Sequence, residues 1–431
     1  MGLTTEPALR ETERPPDRWP FSFARSRLNP WRGLGGLPRE IWLLFATNLI
    51  NRAGMMVLPF LVIYLTRELG FSAGRAGFIF AVYGATAIVA GPLAGRLSDR
   101  IGALPIMRAS LLSSGLALLA FPLARDFASV VAITIVWAGC AEIFRPSSLA
   151  AITHVVSNEQ RKPAFALNRL AINLGMSIGP ALGGFLATVS FHAMFVVDAG
   201  TTLIAGSVLL LTNWRAATGG HINPSEHGGS PLEVRSIMRD SRLAIFLLAS
   251  VMVGIVFFQH ESSLPLYIVQ YLHLSPAFYG TLFSVNTLLI VALEVPLNTA
   301  TARWPTTWSL VLGCLLFAIG FGALAVVRST GGILAMVIVW TFGEMTLFPA
   351  MATHLSEVAP PAQRGTYMGA YSMSLSIALT LGPWLGNQLL GSTGPKELWS
   401  VMFGLGVAGA ALMVYAAPPH LRMRPRDDAE F

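Results

Sequence analysis

The sequence predicts an all-α membrane protein built as two six-helix bundles around a central cavity. Three observations lead there. Of 431 residues, 54% are hydrophobic and only 12% charged, far from the balance of a soluble domain. Apolar runs of about 20 residues, the length that crosses the hydrocarbon of a bilayer, recur along the whole chain. The second half also repeats the first at a constant offset. The period-two alternation of a transmembrane barrel is absent.

Spans read at 41–65, 76–97, 104–124, 129–154, 165–187 and 194–212, then at 244–270, 277–299, 307–326, 333–355, 366–390 and 398–416, twelve in all. Residues 1–38, rich in Pro and Arg and without an apolar h-region, read as a cytoplasmic tail and not as a signal peptide. Residues 39–212 form the first bundle, and 213–242, with clustered Gly, Pro, Ser and charge, form a cytoplasmic linker. The second bundle is 243–416, and 417–431 is a second tail. Basic residues concentrate in the tails and in every second connection, which places both termini in the cytoplasm. The formal charge of +7 therefore records topology, and no nucleic acid is invoked. The expected setting is a cell membrane, the bacterial inner membrane, with the chain acting as a monomer. Cys140 and Cys314 fall inside spans as small apolar fillers.

The repeat is exact enough to align without a gap. Trp137 falls on Trp340, Pro146 on Pro349, Gln160-Arg161 on Gln363-Arg364, Gly179-Pro180 on Gly382-Pro383 and Gly183 on Gly386. At the same offset Tyr64, Ser72 and Gly77 fall on Tyr267, Ser275 and Gly280. Six spans thus repeat in one orientation. Two such repeats facing each other enclose a mid-membrane cavity, and rocking one against the other exposes it to alternate sides. That architecture suggests transport.

Two motifs carry a family resemblance. In "GPLAGRLSDRIG" (91–102), Gly95, Asp99, Arg100 and Gly102 stand in register with the Gly-x-x-x-Asp-Arg-x-Gly signature, and the stretch resembles the major facilitator superfamily. The resemblance implies a gate: the glycines allow a tight turn, and the aspartate meets the N-terminus of the eleventh helix, where the dipole favours an anion. Ala103-Leu104 stands where the family usually has a basic pair. In "GMSIGPALGG" (175–184), Gly175, Gly179, Pro180 and Gly183 resemble the motif of the antiporter members, with small residues for close helix approach and a proline for a bend. Ala166 replaces an earlier glycine of that motif.

The resemblance covers about 39 to 416 and implies the major facilitator fold. The first-span residues Asn51-Arg52, Gly54, Leu58-Pro59-Phe60 and Ile63-Tyr64-Leu65 resemble the pattern of bacterial drug and peptide exporters. A fainter likeness to proton-coupled peptide transporters lies in Asn48-Leu49-Ile50-Asn51-Arg52 and Ile172-Asn173-Leu174-Gly175. Both carboxylates of the peptide transporters' Glu-x-x-Glu-Arg are missing here.

Polar residues inside the spans give the candidate site. An ionisable group at the bilayer centre costs roughly 2.5–3.5 kcal/mol, so it faces a bundle interior or a wet cavity. Asn48, Asn51, Arg52, Met55 and Pro59 share one stripe of the first span, with Arg52 expected on the cavity wall, either on a substrate anion or paired with a carboxylate. Glu142 and Arg145, three apart, read as a local ion pair as well as substrate-binding candidates. Arg169 is expected to snorkel to the interface and Glu294 to be structural. Glu344 and Glu261 have no basic neighbour at helical spacing. Their charged forms are costly at that depth, and they are the expected proton carriers, with His260 as a third titratable group. Asn173, Gln259, Trp340 and Tyr371 complete the expected substrate lining, within a surface rich in aromatic residues and Met.

The functional expectation is proton-coupled efflux of amphiphilic small molecules, with the proton gradient as energy source and no cofactor. The alternative is a proton-coupled transporter of small zwitterions, with Arg52 on the carboxylate and Glu344 on the amine. A membrane-embedded sensor or enzyme is the remote alternative, since no His-Glu-x-x-His, Walker loop, nucleophile elbow or cysteine/histidine metal cluster occurs.

Overall fold

In the computed structural model, described for residues 36–157, 160–212, 240–360 and 363–416, the long elements are all helices and no strand forms among the described residues. Both expected tails and most of the expected linker lie outside the described residues, as do the side chains of Asp99, Lys162 and Arg364. Twelve long helices follow in order: α1 (Arg39–Arg67), α2 (Ala73–Ile101), α3 (Ala103–Ala120), α4 (Phe127–Val155), α5 (Arg161–Val189), α6 (Phe191–Leu211), α7 (Ser241–Tyr271), α8 (Pro276–Ala300), α9 (Thr306–Gly322), α10 (Thr330–Val358), α11 (Arg364–Ser392) and α12 (Pro395–Ala416). Eleven are long and apolar enough to cross a membrane. The twelfth, α11, is less apolar, and the expected span 366–390 falls within it. Its Asn387, Gln388 and run of Ser and Thr lower its hydropathy, and they serve contacts between helices: Asn387 Oδ1 accepts from Ser263 Oγ of α7 at 2.9 Å.

Side-chain caps set the helix starts. Ser72, Asp126, Ser190, Ser275 and Ser329 accept backbone N–H groups at the first turns of α2, α4, α6, α8 and α10, and Asp240 does so for α7. Ser72 and Ser275, like Asp126 and Ser329, are equivalent positions of the repeat. Hydrogen bonds from Ser129 hold the Asp126 carboxyl below the usual carboxylate range.

Three helices are broken in mid-span. α1 breaks at Met55 and Met56, between the segments Arg39–Gly54 and Val57–Arg67. α4 breaks at Ile143, because Pro146 has no N–H to give the Glu142 carbonyl. Its repeat mate Pro349 leaves α10 continuous. α7 passes through a 3-10 turn at Phe258–Glu261 and ends in a π-turn at Tyr267–Tyr271.

Within the first half α1 packs on α5 and α6, and α3 on α6; in the second, α9 packs on α10 and α12, and α7 on α12. The halves meet mainly through α5 on α8 and α2 on α11, two pairs related by the repeat. The start of α1 and the end of α12 share one face of the bundle, here the terminal face. The opposite face is sealed. There a Cβ added at Gly280 of α8 would lie 2.3 Å from the Pro180 carbonyl oxygen, and one at Gly77 of α2 would lie 2.8 Å from that of Pro383. Arg67 Nη2 donates to the Val269 carbonyl at 3.2 Å, Gln270 donates to Thr66 Oγ1 at 2.8 Å, and Phe60 meets Tyr279 edge-on at 5.2 Å. Toward the terminal face the halves splay: Gly91 and Gly95 of α2 and Gly369 of α11 border open space.

Candidate functional site

A cavity of about 430 Å³ lies in the terminal half of the first bundle, walled by α1, α4 and α5. Three arginines line it, Arg52, Arg145 and Arg169, together with Asn48, Asn168, Asn173 and Ser148, and no carboxylate is among the described lining residues. Asn48 Nδ2 donates to Asn168 Oδ1 at 3.0 Å and Ser148 Oγ at 3.3 Å, which ties the three walls together.

Arg52 forms no ion pair with a described carboxylate. Its Nη1 donates to Met55 Sδ at 3.0 Å, its Nε is buried without a hydrogen-bond partner, and Glu142, Arg145, Tyr83 and Glu261 lie within electrostatic reach. The expected stripe of α1 is split by the break, and Asn51 turns to α6, where Nδ2 donates to Thr202 Oγ1 at 3.4 Å.

Glu142 does not pair with Arg145, contrary to the local ion pair the spacing predicts. The break at Ile143 separates them: Glu142 Oε1 accepts from Tyr83 Oη of α2 at 2.6 Å, and Arg145 stands exposed in the cavity. Arg169, expected to snorkel, has a partner. It forms an ion pair with Glu294 of α8, across the two halves.

The titratable groups of the second half sit deeper. Glu344 Oε2 accepts from Asn286 Nδ2 at 3.0 Å, and the same amide donates to Thr341 Oγ1 at 3.0 Å. His260 Nε2 lies 3.6 Å from Glu261 Oε1, while its Nδ1 contacts the Phe257 carbonyl at 2.6 Å. The 3-10 turn brings these sequence neighbours together. His260 packs on Phe257 and Phe283, and Phe257 joins Phe317 and Phe348 in an aromatic cluster.

Three residues expected in the lining are used in packing. Gln259 is fully buried, donating to the Ile255 and Gly382 carbonyls and accepting from Ser263. Trp340 stacks on Phe321 of α9 at 4.4 Å. Tyr371 is buried, with its hydroxyl on Met351 Sδ at 3.4 Å.

The motif residues fall at helix contacts and turns. Gly102 has φ +92°, a conformation that disfavours any side chain, and it makes the turn between α2 and α3. Arg100 is exposed, and the Asp99 side chain lies outside the described residues. On α5, a Cβ at Gly175 would lie 2.5 Å from Arg52 Cβ, one at Gly179 would lie 2.8 Å from the Arg52 carbonyl, and one at Gly183 would lie 2.9 Å from Met56 Cβ. Gly175, Gly179 and Gly183 therefore seat α5 against the break in α1.

Two residues that sequence reasoning passed over complete the arrangement. Asp198 of α6 is buried, and its Oδ2 accepts from the backbone N–H groups of Met56 and Val57, both at 2.9 Å. Asn286 is the partner of Glu344. The signal for Asp198 was available, a lone aspartate inside the apolar run "FVVDAGTTLIAG".

Two bundles of six helices, related by a parallel repeat and with a polar cavity in the first of them, define a polytopic membrane transporter. The Major Facilitator Superfamily model matches residues 43–275 and 261–430, so the chain belongs to that superfamily and is a secondary transporter, not an enzyme. It is 27% identical over 390 residues to the MFS-type transporter YqjV of Bacillus subtilis strain 168, covering 87% of this chain and 93% of the relative. It is 23% identical over 411 residues to the multidrug resistance protein MdtH of Photorhabdus laumondii, covering 90% and 96%. A crystal structure of the peptide transporter POT in complex with alafosfalin superposes with a TM-score of 0.76 at 18% identity, covering 91% and 96%.

Proposed function

We propose that the chain exports amphiphilic small molecules in exchange for protons by alternating access, as a monomer in a bacterial inner membrane. The terminal face is then cytoplasmic, consistent with its surplus of basic residues. Substrate enters the cavity from that face, the halves rock until the opposite face opens, and substrate leaves. Glu344 takes up a proton there and carries it back.

The observation that carries the reading is Glu344 at mid-span, held by the neutral donor Asn286 and ion-paired with no Arg or Lys among the described residues. A carboxylate so placed changes charge at low structural cost, and the change alters the relative free energies of the two conformers. Glu261 with His260 is a second proton store. Relatedness to a multidrug resistance protein and the antiporter-like glycines of α5 support export.

The test uses the full chain in proteoliposomes with ethidium as the probe. An imposed pH gradient drives ethidium against the proton flux in the parent. Glu344→Gln abolishes this uphill movement but retains ethidium counterflow. Full pH-driven transport by Glu344→Gln would falsify the assignment of Glu344.

A second reading has its own observation. The cavity lined by Arg52 and Arg145, neither ion-paired with a described carboxylate, and by Arg169, which pairs with Glu294, suits a substrate carrying an anionic group. That favours small zwitterions such as peptides or amino acids. Transport of a dipeptide along the proton gradient, without ethidium movement, would select this reading.

A further inference from the structure

The break in α1 is gripped from two sides, and the grip has an atomic account. In an unbroken helix the Met56 N–H would bond the Arg52 carbonyl and the Val57 N–H the Ala53 carbonyl. Both N–H groups turn instead to Asp198 Oδ2, at 2.9 Å each. Met55 N donates to the Arg52 carbonyl at 3.2 Å in a tighter turn, and Pro59 has no N–H for the Met55 carbonyl. Met55 and Met56 therefore leave the helical path, Met55 with ψ 87° and Met56 with φ −113°.

Other side chains of α6 support the same segment. Asn51 donates to Thr202 Oγ1, and a Cβ at Gly54 would lie 1.7 Å from Thr201 Oγ1, so the backbone of α1 rests directly on α6. The carboxylate of Asp198 faces the N-terminus of the second segment of α1, where exposed N–H groups and the helix dipole favour negative charge. A buried aspartate in an apolar span is thereby satisfied.

The two segments of α1 differ in their freedom. From Val57 to Leu65 every residue is buried in the core, so that segment is fixed. The segment Arg39–Gly54 holds Asn48 and Arg52, which line the cavity. Closing the break would turn this segment relative to the fixed one and carry Arg52 off the cavity wall.

We propose that Asp198, backed by Thr201 and Thr202, is a positioning residue that holds α1 broken and so aims Arg52 into the cavity. The inference stands apart from the substrate and from the direction of transport. Its test needs neither.

The readout is the labelling rate of a thiol at position 52 in the full chain in lipid nanodiscs. Arg52→Cys is placed in a chain carrying Cys140→Ala and Cys314→Ala, and the probe is the anionic reagent 2-sulfonatoethyl methanethiosulfonate. With Asp198 present the thiol reacts readily. Asp198→Leu slows labelling at least about tenfold, because the freed N–H groups bond the Arg52 and Ala53 carbonyls. Asp198→Asn, which keeps an acceptor oxygen, retains most of the rate. Val57→Pro added to Asp198→Leu restores the rate, since proline suits the first turn of a helix and cannot donate to Ala53. Unchanged labelling in folded Asp198→Leu overturns the proposal, and so does a folded double variant that stays slow. Failure of Asp198→Leu to fold with or without Val57→Pro also overturns it, assigning Asp198 to the fold alone.

Discussion

Arg169 of α5 and Glu294 of α8 form an ion pair that joins the two halves on the side where they otherwise splay apart. The Arg169 side chain is 63% exposed and that of Glu294 15%. An ion pair so open to water is worth about 0.2–1 kcal/mol. It biases the conformer open at the terminal face and does not lock it. Arg169→Gln or Glu294→Gln should change the ratio of the two conformers by no more than about fivefold, read by distance measurements between spin labels on α2 and α11. The charge swap Arg169→Glu with Glu294→Arg should restore the ratio. A singly substituted chain frozen in one conformer would assign the pair a larger role.

The sealed face rests on glycine. Gly280 of α8 lies against the Pro180 carbonyl so closely that an added methyl group has no room, and the neighbour is backbone, which cannot swing aside. Gly280→Ala should therefore push α5 and α8 apart at that end, costing about 1–3 kcal/mol in the conformer described here. Because the opposite conformer separates these surfaces, the expected result is a shift toward it, seen as faster thiol labelling of residues near Tyr279 from the opposite side. A uniform loss of thermal stability with no change in labelling would count against this.

Arg52 tests whether the cavity recognises planar geometry or charge alone. Lysine keeps the charge but loses the forked donors. If Arg52 grips substrate through two parallel hydrogen bonds, Arg52→Lys raises KM at least tenfold with little change in Vmax. If it only balances charge near Glu142 and Glu261, Arg52→Lys is tolerated and Arg52→Gln is not. Concentration dependence of transport in proteoliposomes separates these outcomes.

Asn286 supplies the hydrogen bond that makes a charged Glu344 tolerable at mid-span. Asn286→Leu removes that donor, at a cost to the charged form of about 1–3 kcal/mol. Proton release from Glu344 should become the slow step. The expected outcome is a roughly tenfold or greater loss of pH-driven exchange with counterflow largely kept. Loss of both together would point instead to disturbed packing of α8 on α10.

The fold was legible because the bilayer is an unforgiving solvent. Each long apolar run had to become a helix to satisfy its backbone, and the repeat of Trp137, Pro146 and Gly179-Pro180 on Trp340, Pro349 and Gly382-Pro383 was enough to announce two bundles. The sequence also marked Arg52, Glu261 and Glu344 as residues too costly to face lipid. It determined which groups must be inside and in what order the spans run.

What each inner group touches was decided only by tertiary structure. Helical spacing placed Glu142 beside Arg145, yet Pro146 breaks α4 between them and Glu142 reaches Tyr83 on another helix. Periodicity could not say whether Trp340, Gln259 and Tyr371 face a cavity or a neighbour, since both surfaces are apolar in a bundle, and all three are used in packing. Arg169 with Glu294, Asn286 with Glu344 and Asp198 with the backbone of α1 pair residues far apart in sequence. Their partners are set by how helices cross and where they break. Those are properties of packed backbones that a one-dimensional pattern of polar and apolar residues does not encode.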